Sequence, residues 1–463
     1  MINASKHFDA IIIGAGPIGI LSYKVLKNLG LKVCMIVENE ETLYKTKNSS
    51  FKLNKYEEKA GLFGKMPLWG NGHDTDFKNF MKPPLTSDFP ETQFSEIELF
   101  EAAKKLKSFG WPGIKNTHKF KSRLTKALIK NDFESSEVQV GKLFGIIDKD
   151  LDYKDVVYVK SGIFRFLVEG GKKSRIQAIT FGDGVSITAN NFLLCAGGLG
   201  NLALLSKIFS EVEPSPISEI LGHGFSNHPK QITHTLFFTK LKYFGLFHMI
   251  GKKWKSLEVL DFAPSENFVG NNRNLRISIR FRPAVSDSRE TSGKKSDFFY
   301  SIFYRFALKL GWLSCVRVMT YFEMPQKKSN VVKVNFQESN VVELDIDHRF
   351  SSVEKEYIKI SIDKITNIFE KESIISRVIE HEIDFDDLEQ NDASHYFGTT
   401  RMHDDPQYGV VDVNSLVHGS ENLYCCGTSV LPLSAPNHPT WFAAILAVKA
   451  CESIALKQYS VIK

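Results

Sequence analysis

Apolar and polar positions alternate along the chain in several distinct rhythms. Residues 9–13 (DAIII) are an almost unbroken apolar run, as expected of a central parallel strand buried on both faces. Ile20 to Leu29 has helical spacing and Gly30 can end it; Leu31 to Val37 is a second apolar strand, with Glu38 at its end. Helices are expected over 94–107 and 118–131. A β-meander is expected over 137–190, with strands near 138–147, 155–169 and 174–181 and turns at Glu169–Lys173 and Gly182–Gly184. Residues 191–205 repeat the order of apolar strand, small residues and helix, which predicts a return to the parallel sheet beside the first turn. Gly222–Pro229 marks a turn and a crossing into another domain. Strand-like runs follow at 231–239, 275–282, 316–323 and 330–345, the last interrupted near 338–340. Val353 to Phe369 is amphipathic, and Val353, Tyr357, Ile360, Ile365, Ile368 and Phe369 are assigned to its apolar face. A final helix is expected over 440–456.

This order predicts an α/β protein. A Rossmann-like domain is expected from residues 1–214 and 391–463, and an α+β substrate domain built on an antiparallel sheet from 215–390. The 463 residues, 43% apolar and 24% charged, are those of a soluble globular protein with room for two or three domains. A net charge of +6 spread over the chain is too small to argue for nucleic acid. The six cysteines form no C-x-x-C pair and read as buried reduced thiols of a cytoplasmic protein. The first strand begins too early to leave room for a signal peptide, and no run of about 18 apolar residues predicts a spanning helix.

Chemistry enters at two places. Gly14-Ala-Gly-Pro-Ile-Gly19 has G-x-G-x-x-G spacing between strand and helix. Gly14 allows the tight turn, Gly16 lets backbone approach a pyrophosphate, and Gly19 lets helix pack on strand. Glu38, roughly twenty residues further on, is placed to accept ribose hydroxyls, which favours FAD or NAD over NADP. The glycine-dense loop Gly61–Gly72, with Gly64, Trp69 and Gly70, can wrap a flat ring. The second place is 395–440, where His395 precedes a Gly-Thr-Thr turn and His438 lies in a proline-bounded turn before a helix. Oxidising an alcohol removes a hydride from carbon and a proton from oxygen, and an imidazole titrating near neutrality suits the proton. Other histidines are read structurally: His228 as a turn residue, His403 as a neighbour of the site, His418 as a loop residue. Glu323 is read as a strand-end surface residue, the alternative being a carboxylate that supports the site from behind. No cluster has metal-ligand spacing, so no metal is expected.

Several blocks, in this order, resemble the glucose–methanol–choline (GMC) oxidoreductases. They are Gly14–Gly19 with Glu38, Gly61–Gly72, Ala196–Leu205, Gly222–Pro229, Glu323–Ser329 and 394–456. The C-terminal block is the most specific, with Ser394–Met402, Gly409–Asp412, Gly427–Ser429 and His438–Thr440 at family positions. The resemblance is nearest the branch of pyranose oxidase and the sugar dehydrogenases. It implies an FAD-binding domain of the glutathione-reductase type. It also implies His395 as base and His438 as the residue orienting the hydroxyl. Gly197, Gly427 and Thr428 would join the cofactor's surroundings, the last two near the pyrophosphate, with Pro439 and Thr440 near the pyrimidine edge.

The chain departs from the family pattern in places. His403 stands where a glycine usually follows Arg-Met, and the second glycine-rich signature of longer members is not recognisable in 191–205. Leu68 precedes Trp69 where a covalently flavinylated branch has histidine, so non-covalent FAD is expected. The expected reaction is oxidation of an alcohol or sugar-like CH–OH group, with O₂, a quinone or a protein as acceptor. The competing readings are a flavoprotein of another reaction type (monooxygenase or amine oxidase) and a peripheral membrane or partner-binding flavoprotein. The last draws on two basic aromatic stretches, 240–255 and 298–312.

Overall fold

The computed structural model describes residues 7–38, 43–46, 72–74, 87–111, 128–131, 133–140, 152–159, 164–169, 173–181, 184–210, 216–238, 258–264, 275–283, 315–336, 341–390, 395–434 and 439–462. Elements are numbered in chain order. A seven-stranded sheet contains β1 (His7–Ile13), β2 (Val33–Glu38), β6 (Val156–Val159), β7 (Phe164–Glu169), β8 (Arg175–Phe181), β9 (Ser186–Leu194) and β17 (Leu423–Cys425). Strands β6, β2, β1, β9 and β17 run parallel, while β8 and β7 are antiparallel additions beside the start of β9. The apolar run of β1 is fully buried from Ala10 to Ile13 because strands flank it on both sides and a helix packs on it.

Helix α1 (Pro17–Asn28) starts with proline in its first turn and ends at Gly30, whose φ is +81°. The Leu31 N–H there reaches back to the Leu26 carbonyl at 3.1 Å, closing the helix end. Helix α6 (Thr440–Ile462) packs against it, and α2 (Glu96–Ser108) packs against α6. The Cys451 thiol donates to the Ser22 carbonyl at 3.8 Å, Lys449 pairs with Glu98 at 2.8 Å, and Lys105 pairs with Glu452. Among the described residues no helix is long and apolar enough to cross a membrane.

The second sheet is antiparallel, in the order β16 (Ile375–Glu380), β10 (Lys230–Phe238), β13 (Cys315–Phe322), β12 (Ile277–Pro283), β11 (Glu258–Pro264), β5 (Phe133–Val140), β4 (Gly72–Asp74). Helix α4 (Ser352–Glu370) covers one face of it. Its buried stripe is Ile358, Ile362, Ile365, Ile368 and Phe369, spaced three and four apart, and each buried isoleucine contributes about 1.5–3 kcal/mol. Val353 and Ile360, assigned above to the apolar face, are 54% and 46% exposed. They lie on the far side of the helix, since the 3.6-residue turn carries position 360 away from 358 and 362. A capping box at Ser351 and Glu354 fixes the helix start.

A small third sheet joins β14 (Val331–Phe336), β15 (Val341–Asp347) and β3 (Leu43–Thr46). It packs on helix α3 (Gly197–Ser210) through Val332, Val342 and Leu344 against Leu199 and Leu202.

The chain therefore crosses between sheets more often than the division at 214 and 390 expects. Strand β5 pairs with β11 in the antiparallel sheet, and β3 pairs with β15 from the far side of that boundary. The expected meander is likewise distributed: β5 joins the antiparallel sheet, β6 the edge of the parallel one beside β2, and only β7, β8 and β9 form consecutive hairpins. Alternation of apolar residues predicts a strand but not its partner, which is decided by the surfaces the rest of the chain supplies.

Candidate functional site

Three turns meet at the carboxyl ends of β1, β9 and β17. The Gly14 N–H bonds the Ile36 carbonyl at 2.9 Å, the Cys195 N–H the Ile13 carbonyl at 2.8 Å, and the Cys426 N–H the Leu194 carbonyl at 2.8 Å. The first two turns touch. A Cβ on Gly14, whose φ is +103°, would lie 2.6 Å from the Cys195 carbonyl oxygen, and one on Gly19 would lie 2.0 Å from that of Gly14. Any side chain at either position therefore forces backbone apart. Asn201 ties the second turn to the third: its Oδ1 accepts from the Ala196 N–H at 2.7 Å, and its Nδ2 donates to the Cys426 carbonyl at 2.9 Å and the Ser429 hydroxyl at 3.1 Å. Sequence reasoning did not single out Asn201. The signal available was a lone amide in an otherwise apolar helix start.

The mouths of these turns are open where a phosphate would approach. A Cβ built on Gly16 or Gly197 meets nothing within 4 Å. Helix α1 begins at Gly16 with no side-chain cap and no acid in its first turn, so its N–H groups and dipole are free for an anion. Helix α3, starting at Gly197, also has no acid in its first turn. Gly427 and Thr428 open the third turn, and Pro439 and Thr440 are buried at the start of α6. These residues fit a dinucleotide. Glu38 ends β2, and its backbone alone is described. Gly64, Trp69, Gly70 and His438 lie outside the described residues, as do the two basic aromatic stretches.

His395 reaches this region on a strip threaded between the turns. Tyr396 packs so close to Gly198 that a Cβ there would lie 2.6 Å from the tyrosine Cβ. The Thr399 hydroxyl donates to the Gly198 carbonyl at 2.9 Å, and the Thr400 hydroxyl to that of Ser429 at 2.8 Å. The strip also pairs with the turn before β10: Ser226 and Phe397 exchange backbone bonds of 3.2 and 2.9 Å. That pairing brings His228 to His395, with Nε2 of the first 2.8 Å from Nδ1 of the second. His228, expected to be a turn residue, lies instead in the irregular segment before β10, where it is 1% exposed and faces the histidine singled out for chemistry. The turn residues around it gave no hint of this, because the contact joins segments distant in sequence.

Two buried polar clusters hold the strip and the segment leading to residue 438. Arg401 is 1% exposed. Its guanidinium donates to the Pro90 carbonyl at 2.8 Å, the Tyr408 carbonyl at 3.2 Å, the Pro432 carbonyl and the Gln326 side chain, and lies 4.5 Å from the centre of the Phe89 ring. Burial lowers its pKa from 12.5 to about 9, so it stays charged at neutral pH. Gln326 in turn donates to the Leu431 carbonyl at 2.9 Å.

Glu323, read above as a surface residue, is fully buried. Its carboxylate takes two bonds from the Arg276 guanidinium, at 3.0 and 2.8 Å, and one from the Ser434 hydroxyl at 3.2 Å. A glutamate at a strand end looks exposed in sequence, but here the strand end is capped by another part of the chain. His403 bonds within its own loop, its Nδ1 accepting from the Asp405 N–H at 3.0 Å; burial and nearby Arg401 lower its pKa. Burial pushes the Cys425 and Cys451 thiols up to about 12, and Cys195 and Cys426 well above their ordinary value, so these thiols are inert.

Comparison with known proteins agrees with this geometry. Residues 327–447 match the family model described as GMC oxidoreductase, C-terminal. The fold is similar over 98% of the chain to 99% of a pyridoxine 4-oxidase from Mesorbium loti, with TM-score 0.58 and 16% identity. It is similar over 99% of the chain to the whole of a formate oxidase variant from Aspergillus oryzae RIB40, studied for FAD modification, with TM-score 0.54 and 14% identity. No curated protein sequence matches the chain. The likeness to GMC oxidoreductases read from the sequence is thus found again independently, over residues 327–447.

Proposed function

We propose that the protein is an FAD-dependent oxidoreductase that oxidises a CH–OH group of an alcohol or sugar-like substrate to a carbonyl. The observation that carries this reading is the threading of the His395 strip between the Gly198 and Ser429 turns, beside the open glycine mouths that fit a dinucleotide.

In this reading Gly14, Gly16 and Gly19 with the α1 N-terminus hold the pyrophosphate, joined by Gly197, Gly427 and Thr428. Glu38 would take the ribose, Gly64, Trp69 and Gly70 would help hold the ring, and Pro439 and Thr440 would serve its pyrimidine edge. Bound FAD supplies a hydride acceptor at N5. The imidazole of His395 takes the hydroxyl proton at Nε2, because its Nδ1 is engaged by His228. His438 hydrogen-bonds the substrate oxygen and orients it. Arg401 and Glu323 keep the two histidine-bearing segments in place through Pro432 and Ser434. Leu68 ahead of Trp69 supports a non-covalent cofactor.

The test is the absorption spectrum of purified protein during anaerobic titration with glucose, glycerol, benzyl alcohol and hexan-1-ol. A flavin spectrum bleached by one of them is expected. His395→Ala should keep the cofactor and lose bleaching by a factor of about 10²–10⁴. Bleaching at the original rate in that variant would remove the base assignment.

A further inference from the structure

His228 stands in a place that neither cofactor binding nor substrate orientation uses. Its ring centre lies 4.3 Å from that of His395, with the planes inclined by 54°. Behind it, Tyr321 and Phe397 make edge contacts at 5.9 and 6.0 Å. Its backbone is fixed on both sides. Its own N–H bonds the Asn227 side chain at 3.0 Å, and the next carbonyl, of Pro229, accepts from the Phe322 N–H at 2.9 Å. The Ser226–Phe397 backbone pair sets the distance between the two histidine-bearing segments. The spacing of the imidazoles is therefore a property of the fold and not of two loose side chains.

A bond between two imidazole nitrogens holds one proton, which belongs to one ring or the other. If it belongs to His228, then Nδ1 of His395 is the acceptor, and Nε2 of neutral His395 carries a proton and is no base. If it belongs to Nδ1 of His395, then Nε2 is left as a lone pair pointing away from His228. Only the second arrangement allows proton abstraction.

We infer that His228 is the positioning residue for His395: its Nε2 accepts the Nδ1 proton of His395, fixes the tautomer that is basic at Nε2, and binds the imidazolium that forms when the alcohol proton arrives. The inference rests on His395 being the base. In the step itself the O–H bond breaks, its electron pair stays on oxygen, and the proton forms a bond to Nε2 of His395. The bridging proton stays between the rings, now donated by a cation. A charged donor makes a hydrogen bond roughly twice as strong as a neutral one. The contact therefore strengthens as the reaction proceeds, which raises the rate of the step and leaves substrate affinity almost unchanged. The burial of His228, 1% exposed, adds to this, because a less polar surrounding strengthens the shared bond.

The test uses FAD-loaded protein labelled with ¹⁵N-histidine. Ring correlations of His395, assigned by their loss in His395→Asn, should show the proton on Nδ1 in the wild type. That preference should disappear in His228→Phe, which fills the same space between Tyr321 and Phe397 but accepts no hydrogen bond. Wild-type His395 protonated on Nε2, or unchanged in the Phe variant, overturns the inference. In anaerobic stopped-flow with the fastest alcohol of the panel above, His228→Phe should slow flavin reduction about 10- to 100-fold, the scale of one lost charge-assisted hydrogen bond. The dissociation constant should stay within about twofold, and His228→Gln, whose side-chain oxygen can accept, should recover most of the rate. A purely packing role gives the reverse order, with Phe active and Gln impaired, and sinks the proposal. Loss of reduction in His395→Ala together with full activity in His228→Phe removes this inference alone. Persistent reduction in His395→Ala removes the parent reading, while the tautomer is still measured.

Discussion

Arg401 is a full positive charge shut away from water and answered mainly by neutral oxygens. Such an arrangement is costly to build and worse to break, since each carbonyl left without its donor costs about 1–3 kcal/mol. Arg401→Met should therefore destabilise the protein by roughly 3 kcal/mol or more, lowering the midpoint in a urea titration. Arg401→Lys should recover little, because one ammonium cannot reach acceptors spread around a planar fork. Glu323→Ala removes the partner of Arg276 and the acceptor of Ser434 together. Since Arg276 is 28% exposed, the loss is expected near 2 kcal/mol, below the usual range for a fully buried pair. Its larger effect should be a slower flavin reduction, read in the same stopped-flow trace. His395 could be found in the sequence because it sits in a run of turn residues with a recognisable order. His228, Asn201 and the depth of Glu323 could not, because each owes its role to a contact more than a hundred residues away.

Elements follow the same division. The β1–α1–β2 unit was fully legible, since every piece of it is local: a buried run, a glycine turn, a proline-started helix and a glycine stop. Its tightest point gives a sharp expectation. Gly19→Ala puts a methyl 2.0 Å from the Gly14 carbonyl oxygen, so the turn must open; the purified variant should lose flavin absorbance at 450 nm while keeping its far-ultraviolet circular dichroism. Helix α4 was legible in extent and in most of its buried face, Ile365, Ile368 and Phe369 among it, but Val353 and Ile360 were misplaced because the polar face also carries apolar residues. Ile362→Ala should cost about 2–5 kcal/mol by thermal or urea unfolding, whereas Ile360→Ala should stay within about 0.5 kcal/mol. Equal effects would mean the helix is rotated. Strand β5 shows the limit of local reading, as its residues suit a strand anywhere and its partners β11 and β4 decide where.

Across the whole molecule, two buried histidines that have no part in the proposed chemistry couple folding to acid. Burial lowers His234 and His348 from 6.5 to about 3, with His381 adding to the first and Lys327 to the second, while the Glu389 carbonyl opposes. Both are neutral in the folded protein and take up protons when it unfolds. Their contribution is thus fully present above about pH 6.5 and is lost as pH falls toward 3. At pH 5 each should cost roughly 2 kcal/mol relative to pH 7. Melting temperatures measured at both values should fall accordingly, and His234→Gln should flatten the decline.

The parallel sheet has a further consequence for how the protein is made. Strand β17 completes it beside β9, and α6 seals α1, with the Cys451 to Ser22 bond joining positions 429 residues apart. A ribosome releases β1 and α1 long before their closing partners exist. Until α6 emerges, the glycine mouths border an unsealed apolar surface, so the site they form is completed only once the end of the chain has been made.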